Sequence, residues 1–243
     1  ELMAVVKANG YNHGAVEAAR VFLANGATQL GVATITEAVE LRQAGISAPI
    51  LAWIWNADDR VSVATALDYG IDLGVPTLAH IRALVDEATE RKRSQEDWEF
   101  APPRVTVMVD SGLSRSGISP DQWDKALKEL SAASSDSIID VTGAFTHLAS
   151  ADAADNPSNN RQKAQFDAAI EELQAAGIPV RINHMCNSPA SVNRPDMFYQ
   201  MVRPGVALYG MDPLEEPADR SSSTGSSLVS QLKPAMTLSA PIV

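Results

Sequence analysis

Eight short apolar runs of strand length, separated by helix-period segments, constrain this chain more than any other feature. They fall at 2–8, 30–33, 49–53, 71–75, 104–110, 141–147, 180–185 and 201–210, the last interrupted by Pro204. The first run, Leu2-Met3-Ala4-Val5-Val6, is continuously apolar, as a strand buried on both faces of a parallel sheet is. Helical patterns lie at 13–25, at 36–44 with Thr36 as the expected cap, and at 78–92, 120–131 and 160–176; Gly177 and Pro179 end the last. No Gly-x-Gly-x-x-Gly turn follows the first strand, which argues against an open dinucleotide-binding sheet. The order predicts an α/β chain folded as a (β/α)8 TIM-type barrel.

The length of 243 residues suits one such barrel, and 45% hydrophobic with 20% charged residues marks a globular chain. A net charge of -11 argues against nucleic acid or an anionic membrane as partner. Cys186 is the one cysteine, so an internal disulfide is impossible and a reducing, cytoplasmic setting fits. No secretory leader opens the sequence and no apolar run has membrane-spanning length. The opening residues already read as core strand. The stretch 215–227 is acidic and then Ser/Gly-rich, a linker composition. The stretch 228–243, with Leu232, Met236, Leu238, Ile242 and Val243, is too apolar for a free tail. The expected organisation is therefore a barrel at 1–227, then 228–243 as the opening segment of a C-terminal β-rich domain that is absent, with truncation at both ends.

Chemistry-bearing residues gather at the C-terminal ends of the predicted strands, where barrels mount their active sites. Lys7 follows the first run directly, and a lysine so placed is a usable amine nucleophile; Tyr11 lies four residues on, in a Gly/Asn-rich turn. Arg115 follows the fifth strand between Gly112 and Gly117, and its fixed guanidinium suits a phenolic or carboxylate oxygen. His147 closes the sixth strand. Asn187-Ser188-Pro189-Ala190 follows the seventh; Ser188 is the expected N-cap with Pro189 at the first helical position, and a helix N-terminus is a ready phosphate site. Arg203-Pro204-Gly205-Val206-Ala207-Leu208-Tyr209-Gly210 ends the eighth, where barrels commonly bind phosphate; Gly205 permits close backbone approach. The four histidines show no metal-ligand spacing, so no metal is expected. His13 and His184 read as structural, Trp53 and Trp55 as packing, and Cys186 lies in no activating motif.

Taken together, these phrases resemble the alanine racemases. Ala4-Val5-Val6-Lys7-Ala8-Asn9-Gly10-Tyr11 is similar to their pyridoxal 5'-phosphate (PLP) lysine motif, although the usual pattern has alanine at position 10 and glycine at position 12, where this chain has Gly10 and Asn12. Asp110-Ser111-Gly112-Leu113-Ser114-Arg115-Ser116-Gly117 resembles the family's arginine loop, and the 203–210 string is a second specific match. The resemblance covers essentially the whole chain. It implies that Lys7 holds PLP covalently and that Tyr11, Asn187, Ser188, Gly205 and Val206 bind its phosphate. It further implies that Arg115 contacts the PLP 3′-oxygen and the substrate carboxylate, that His147 lies beside the ring, and that Arg203 faces the pyridine nitrogen. One departure stands out. Many members carry a carbamylated lysine that orients the arginine where this chain has Met108, so Arg115 must be oriented by another anion or more loosely.

The activity implied is racemisation of L- and D-alanine for peptidoglycan, with Lys7, Arg115 and His147 as the catalytic set. A second base, a tyrosine from a partner subunit's other domain, would work on the opposite face in a homodimer. Alternatives are a non-catalytic PLP-binding protein, a serine or broad-specificity racemase, and a metal-dependent D-amino-acid aldolase. A decarboxylase would want a carboxylate where Arg203 stands.

Overall fold

The computed structural model describes residues 1–94, 100–214, 228–237 and 239. Six parallel strands hydrogen-bond in chain order: β1 (Met3–Val5), β2 (Gln29–Val32), β3 (Ile50–Ala52), β4 (Asp72–Val75), β5 (Arg104–Met108) and β6 (Asp140–Phe145). Register runs from Ala4 to Leu30 to Ile50, and from Leu73 to Val105 to Val141, with one irregularity between Val105 and Thr106. The seventh and eighth predicted strands are not regular strands; each makes a single bridge, Phe145 with His184 and Leu2 with Val202. They nevertheless close the barrel. His184 N–H donates to Ala144 O (3.0 Å) and Thr146 N–H to His184 O (3.2 Å) on one side. Met3 N–H donates to Val202 O (2.9 Å) on the other, and Arg203 N–H to Cys186 O (2.9 Å) joins the two segments. Irregularity follows from sequence: Pro204 has no N–H to give a ladder. Gly143 of β6 takes the seventh segment so close that a Cβ there would overlap Ile182 O.

The outer layer holds α2 (Ala15–Ala24), α3 (Ile35–Gln43), α4 (Arg60–Asp68), α5 (Leu78–Ser94), α6 (Pro120–Ser135) and α7 (Pro157–Ala175). The cap of α3 is Thr34, not Thr36. Thr34 stands three residues before Glu37, the spacing a capping box needs, and both reciprocal bonds form. Helix α4 was not legible in the sequence; Asp59 starts it by accepting from Ser62 N–H (3.1 Å). Helix α7 begins before 160, at Asn156-Pro157, a cap followed by a first-turn proline.

The apolar interior has two parts. The larger lies between strands and helices, with Leu30, Ile50, Leu73, Ile81, Leu130, Phe166 and Leu173 essentially inaccessible. The smaller fills the barrel: Met3, Leu51 and Met201, packed by Trp53 and Ile182. Below these, at the N-terminal ends of the strands, Gln29 Nε2 donates to Asp72 (3.3 Å) and Arg104 pairs with Asp72 (3.2 Å). The expected linker at 215–227 and Leu238, Ile242 and Val243 lie outside the described residues. Leu228 and Val229 are helical, and Ala235 N–H donates to Tyr209 O (2.9 Å). No described helix is long and apolar enough to cross a membrane.

Candidate active site

At the C-terminal mouth of the barrel lies a cavity of about 440 Å³. Lys7, Tyr11, Arg115, His147, Asn187, Ser188, Arg203, Gly205 and Val206 all line it, together with Val5, Trp53, Ile54, Met108 and Phe145. Three of these side chains are cationic and none is a carboxylate, in a chain whose net charge is -11. A second cavity, of about 340 Å³, sits at the other end against Asp72, Arg91 and Arg104. Barrels keep their chemistry at the C-terminal end, so the first cavity is the candidate site.

Lys7 is not on β1 but just past it, opening α1 (Lys7–Tyr11). From Ala8 to Asn12 every residue is left-handed, with φ between 51° and 65°. Four of the five carry a Cβ, and each such residue costs about 1–2 kcal/mol relative to a right-handed turn. Hydrogen bonds hold the strained turn. Gly10 N–H donates to Val6 O (2.8 Å), Asn12 N–H to Ala8 O (2.9 Å) and Ala8 N–H to Glu37 Oε1 (2.7 Å). Asn9 Oδ1 accepts Ala15 N–H (2.9 Å) and so begins α2. The Tyr209 ring packs on Tyr11, His13 and Phe22. This turn brings Lys7 and Tyr11 into the same cavity, with Lys7 Nζ 5.9 Å from the Tyr11 ring centre.

Asn187 is the N-cap of α8 (Ser188–Asn193), accepting from Ala190 N–H; Ser188, expected there, is the first helical residue. Its hydroxyl is drawn away by the next segment, accepting from Gly205 N–H (2.7 Å) and Ala207 N–H (3.3 Å). Gly205 N–H is thereby engaged, whereas Val206 N–H has no partner among the described residues. The Tyr11 hydroxyl overlaps the position a Cβ on Gly205 would take, so any larger residue there would have to displace it.

Arg203 is 6% exposed, and no acidic side chain among the described residues pairs with it. Its Nη1 donates to His184 Nδ1 and His184 O (both 2.9 Å), and its Nη2 to Thr146 O (2.7 Å). Burial pulls the guanidinium down to about 10, still a cation at neutral pH. His184, read from the sequence as structural, is thus a direct partner of Arg203. Burial and then Arg203 keep it well below the ordinary histidine range, so Nδ1 is free to accept. The ring stacks on Phe145 at 5.3 Å. A buried histidine two residues before Cys186 and three before Asn187 was the only signal.

His147 is lowered to about 3 by burial first, then by Arg203, Arg115 and Lys7. Arg115 is exposed on the loop above Met108 and makes no hydrogen bond or ion pair among the described residues. The loop itself is fixed. Asp110 Oδ1 accepts Gly112 N–H (3.0 Å) and Ser114 N–H (2.9 Å), and Val109 bridges Ile118. Trp53 does more than pack. Its ring occupies the space a Cβ on Gly31 would need, and it walls the cavity.

Residues 1–213 match the family described as alanine racemase, N-terminal domain. The chain belongs to that family. It is 47% identical over 219 residues to an alanine racemase of Corynebacterium efficiens, covering 88% of this chain and 54% of that protein. Against an alanine racemase of Thermobifida fusca it is 42% identical, covering all of this chain and 60% of the relative. The crystal structure of alanine racemase from Corynebacterium glutamicum superposes with a TM-score of 0.79 at 41% identity, over 97% of this chain and 60% of that one. An alanine racemase structure from Streptomyces lavendulae gives a TM-score of 0.85 at 33% identity, over 96% and 57%. The chain therefore spans little more than half the length of these alanine racemases.

Proposed function

We propose that this chain is the PLP-holding barrel of an amino-acid racemase acting on L- and D-alanine. The observation that carries the reading is the cavity: three cations, a neutral imidazole and no carboxylate, floored by apolar side chains. Its residues fit PLP. Tyr11 Oη, Ser188 and the unpartnered Val206 N–H make a phosphate cup at the Gly205 turn. Val5, Trp53, Met108 and Phe145 give the apolar walls an aromatic ring needs, and the buried Arg203 guanidinium awaits an acceptor other than a carboxylate.

When bound, PLP supplies an electron-withdrawing ring that acidifies the substrate Cα–H. Lys7 Nζ would hold it covalently and, as a free amine, would take the substrate Cα proton on one face. Arg115 would bind the substrate carboxylate and the PLP 3′-oxygen. Arg203 would face the pyridine nitrogen and, remaining charged at neutral pH, would give up no proton to it, which would keep the ring a restrained electron sink and suppress transamination. His147 stays neutral among three cations and so adds no further positive charge beside the substrate.

The remaining assignments rest on the resemblance: a 1–227 barrel followed by the opening of a second domain at 228–243, a homodimer supplying the opposite base, cytoplasmic location and D-alanine for peptidoglycan. Borohydride reduction in the presence of PLP, followed by peptide mapping, tests the anchor. A phosphopyridoxyl group on Lys7 is expected; its absence, or labelling unchanged in Lys7→Ala, refutes the reading.

A further inference from the structure

Met108 offers Arg115 no anion, and no side chain among the described residues hydrogen-bonds or pairs with its guanidinium, so the loop that carries it is left to set its placement. One buried amide ties the base of that loop to the neighbouring strand end. Gln162 of α7 is 3% exposed, and its Nε2 donates to Ser111 Oγ (3.2 Å) and to His147 O (3.0 Å). Its Oε1 accepts Ala149 N–H (2.9 Å). Ser111 Oγ also bonds Thr146 Oγ1 (2.7 Å), and Thr146 O is the acceptor for Arg203 Nη2 (2.7 Å). Ser111 and Thr146 are each 1% exposed. Only a neutral amide supplies two donors and an acceptor at once here; a carboxylate would lose both donors and bury a charge.

We propose that Gln162 is a positioning residue. Through Ser111 it sets the Arg115 loop in register with the strand end that carries His147 and Arg203, and so replaces an anion beside the guanidinium as the device that aims Arg115. The inference rests on the reading of Arg115 as a PLP ligand. It extends that reading to residues that do not line the cavity.

The test is a double-mutant cycle on the full-length protein, with the PLP dissociation constant read by visible circular dichroism. Ser111→Ala and Gln162→Leu are each made with Arg115 and with Arg115→Ala. With Arg115 present, each should weaken PLP binding about five- to tenfold; in the Arg115→Ala background the further loss should be under about twofold, the mark of coupled sites. Equal losses in both backgrounds, or none with Arg115 present, overturn the inference, because a general support would act regardless of Arg115. Unchanged PLP binding in Arg115→Ala alone sinks the reading of Arg115 itself, and the inference with it. Ser111→Ala removes a single oxygen, so the cycle stands even where Gln162→Leu fails to fold.

Discussion

Arg203 shows how much chemistry depends on the shape of one side chain. Its guanidinium reaches His184 and Thr146 from two nitrogens, a spread that the point charge of lysine cannot match. Arg203→Lys should lower stability by about 1–3 kcal/mol through buried acceptors left unmet, read as a fall in the urea midpoint with unchanged slope. Gly205 is the converse case, a residue valued for what it lacks. Gly205→Ala must push the Tyr11 hydroxyl aside. The expected result is PLP binding weakened about tenfold, a loss of about 1.4 kcal/mol, by fluorescence titration. All nine candidate residues read from the sequence line one cavity, because each follows or closes a predicted strand at its C-terminal end. His184 and Gln162 escaped because they act through hydrogen bonds to residues far along the chain. No local pattern encodes such partners.

At the scale of elements, the site is built from turns that ordinary secondary structure does not favour. The five left-handed residues after β1 were readable only as a Gly/Asn-rich turn, since their conformation is imposed by Glu37, Val6 and Tyr209 from elsewhere. The arginine loop is closed by Gly117, whose φ is +117° and whose Cβ position overlaps Asp110 N. Gly117→Ala should therefore cost about 2–3 kcal/mol, measured by chemical denaturation, and should weaken PLP binding in step with Arg115→Ala. The seventh and eighth segments lost their strand character for a similar reason: a proline and a close approach at Gly143 bend them, and that bending lets their ends turn inward to carry Asn187 and Arg203.

Buried titratable groups lie at both ends of the barrel. At the barrel floor Asp72 is pushed up to about 6, by burial first, against the opposing pull of Arg104 and Arg42. Its folded value lies above the ordinary 3.8, so the folded chain binds more protons in that interval, and Asp72 lowers stability as pH rises from about 4 through 6. Asp72→Asn should gain on the parent across that window and hold the gain at pH 8; a difference independent of pH would refute the assignment. His147 works in the opposite sense: its folded value of about 3 lies below the unfolded 6.5, so its contribution is lost as pH falls between them. At the mouth, Lys7 is the one amine lining the cavity. The 243-residue chain alone should bind PLP yet racemise alanine weakly or not at all, checked by coupled assay. Full activity would show that the opposite base lies within this chain.

What the sequence determined by itself is what local chemistry encodes. The parallel barrel followed from buried apolar runs alternating with helical ones, and Lys7, Arg115 and Gly205 stood out as candidates beside glycine- and proline-bearing turns at strand ends. What only the tertiary structure decided is what closure of the barrel brings together. Arg203 lacks a carboxylate partner because the eighth segment lies beside the seventh, and the Tyr11 hydroxyl meets Gly205 because the first and last segments adjoin. Gln162 reaches Ser111 and His147 because α7 packs behind both loops. Those pairings span from 15 to 194 residues of chain, and over such separations contact is set by packing geometry rather than by any pattern a reader of neighbouring residues can see.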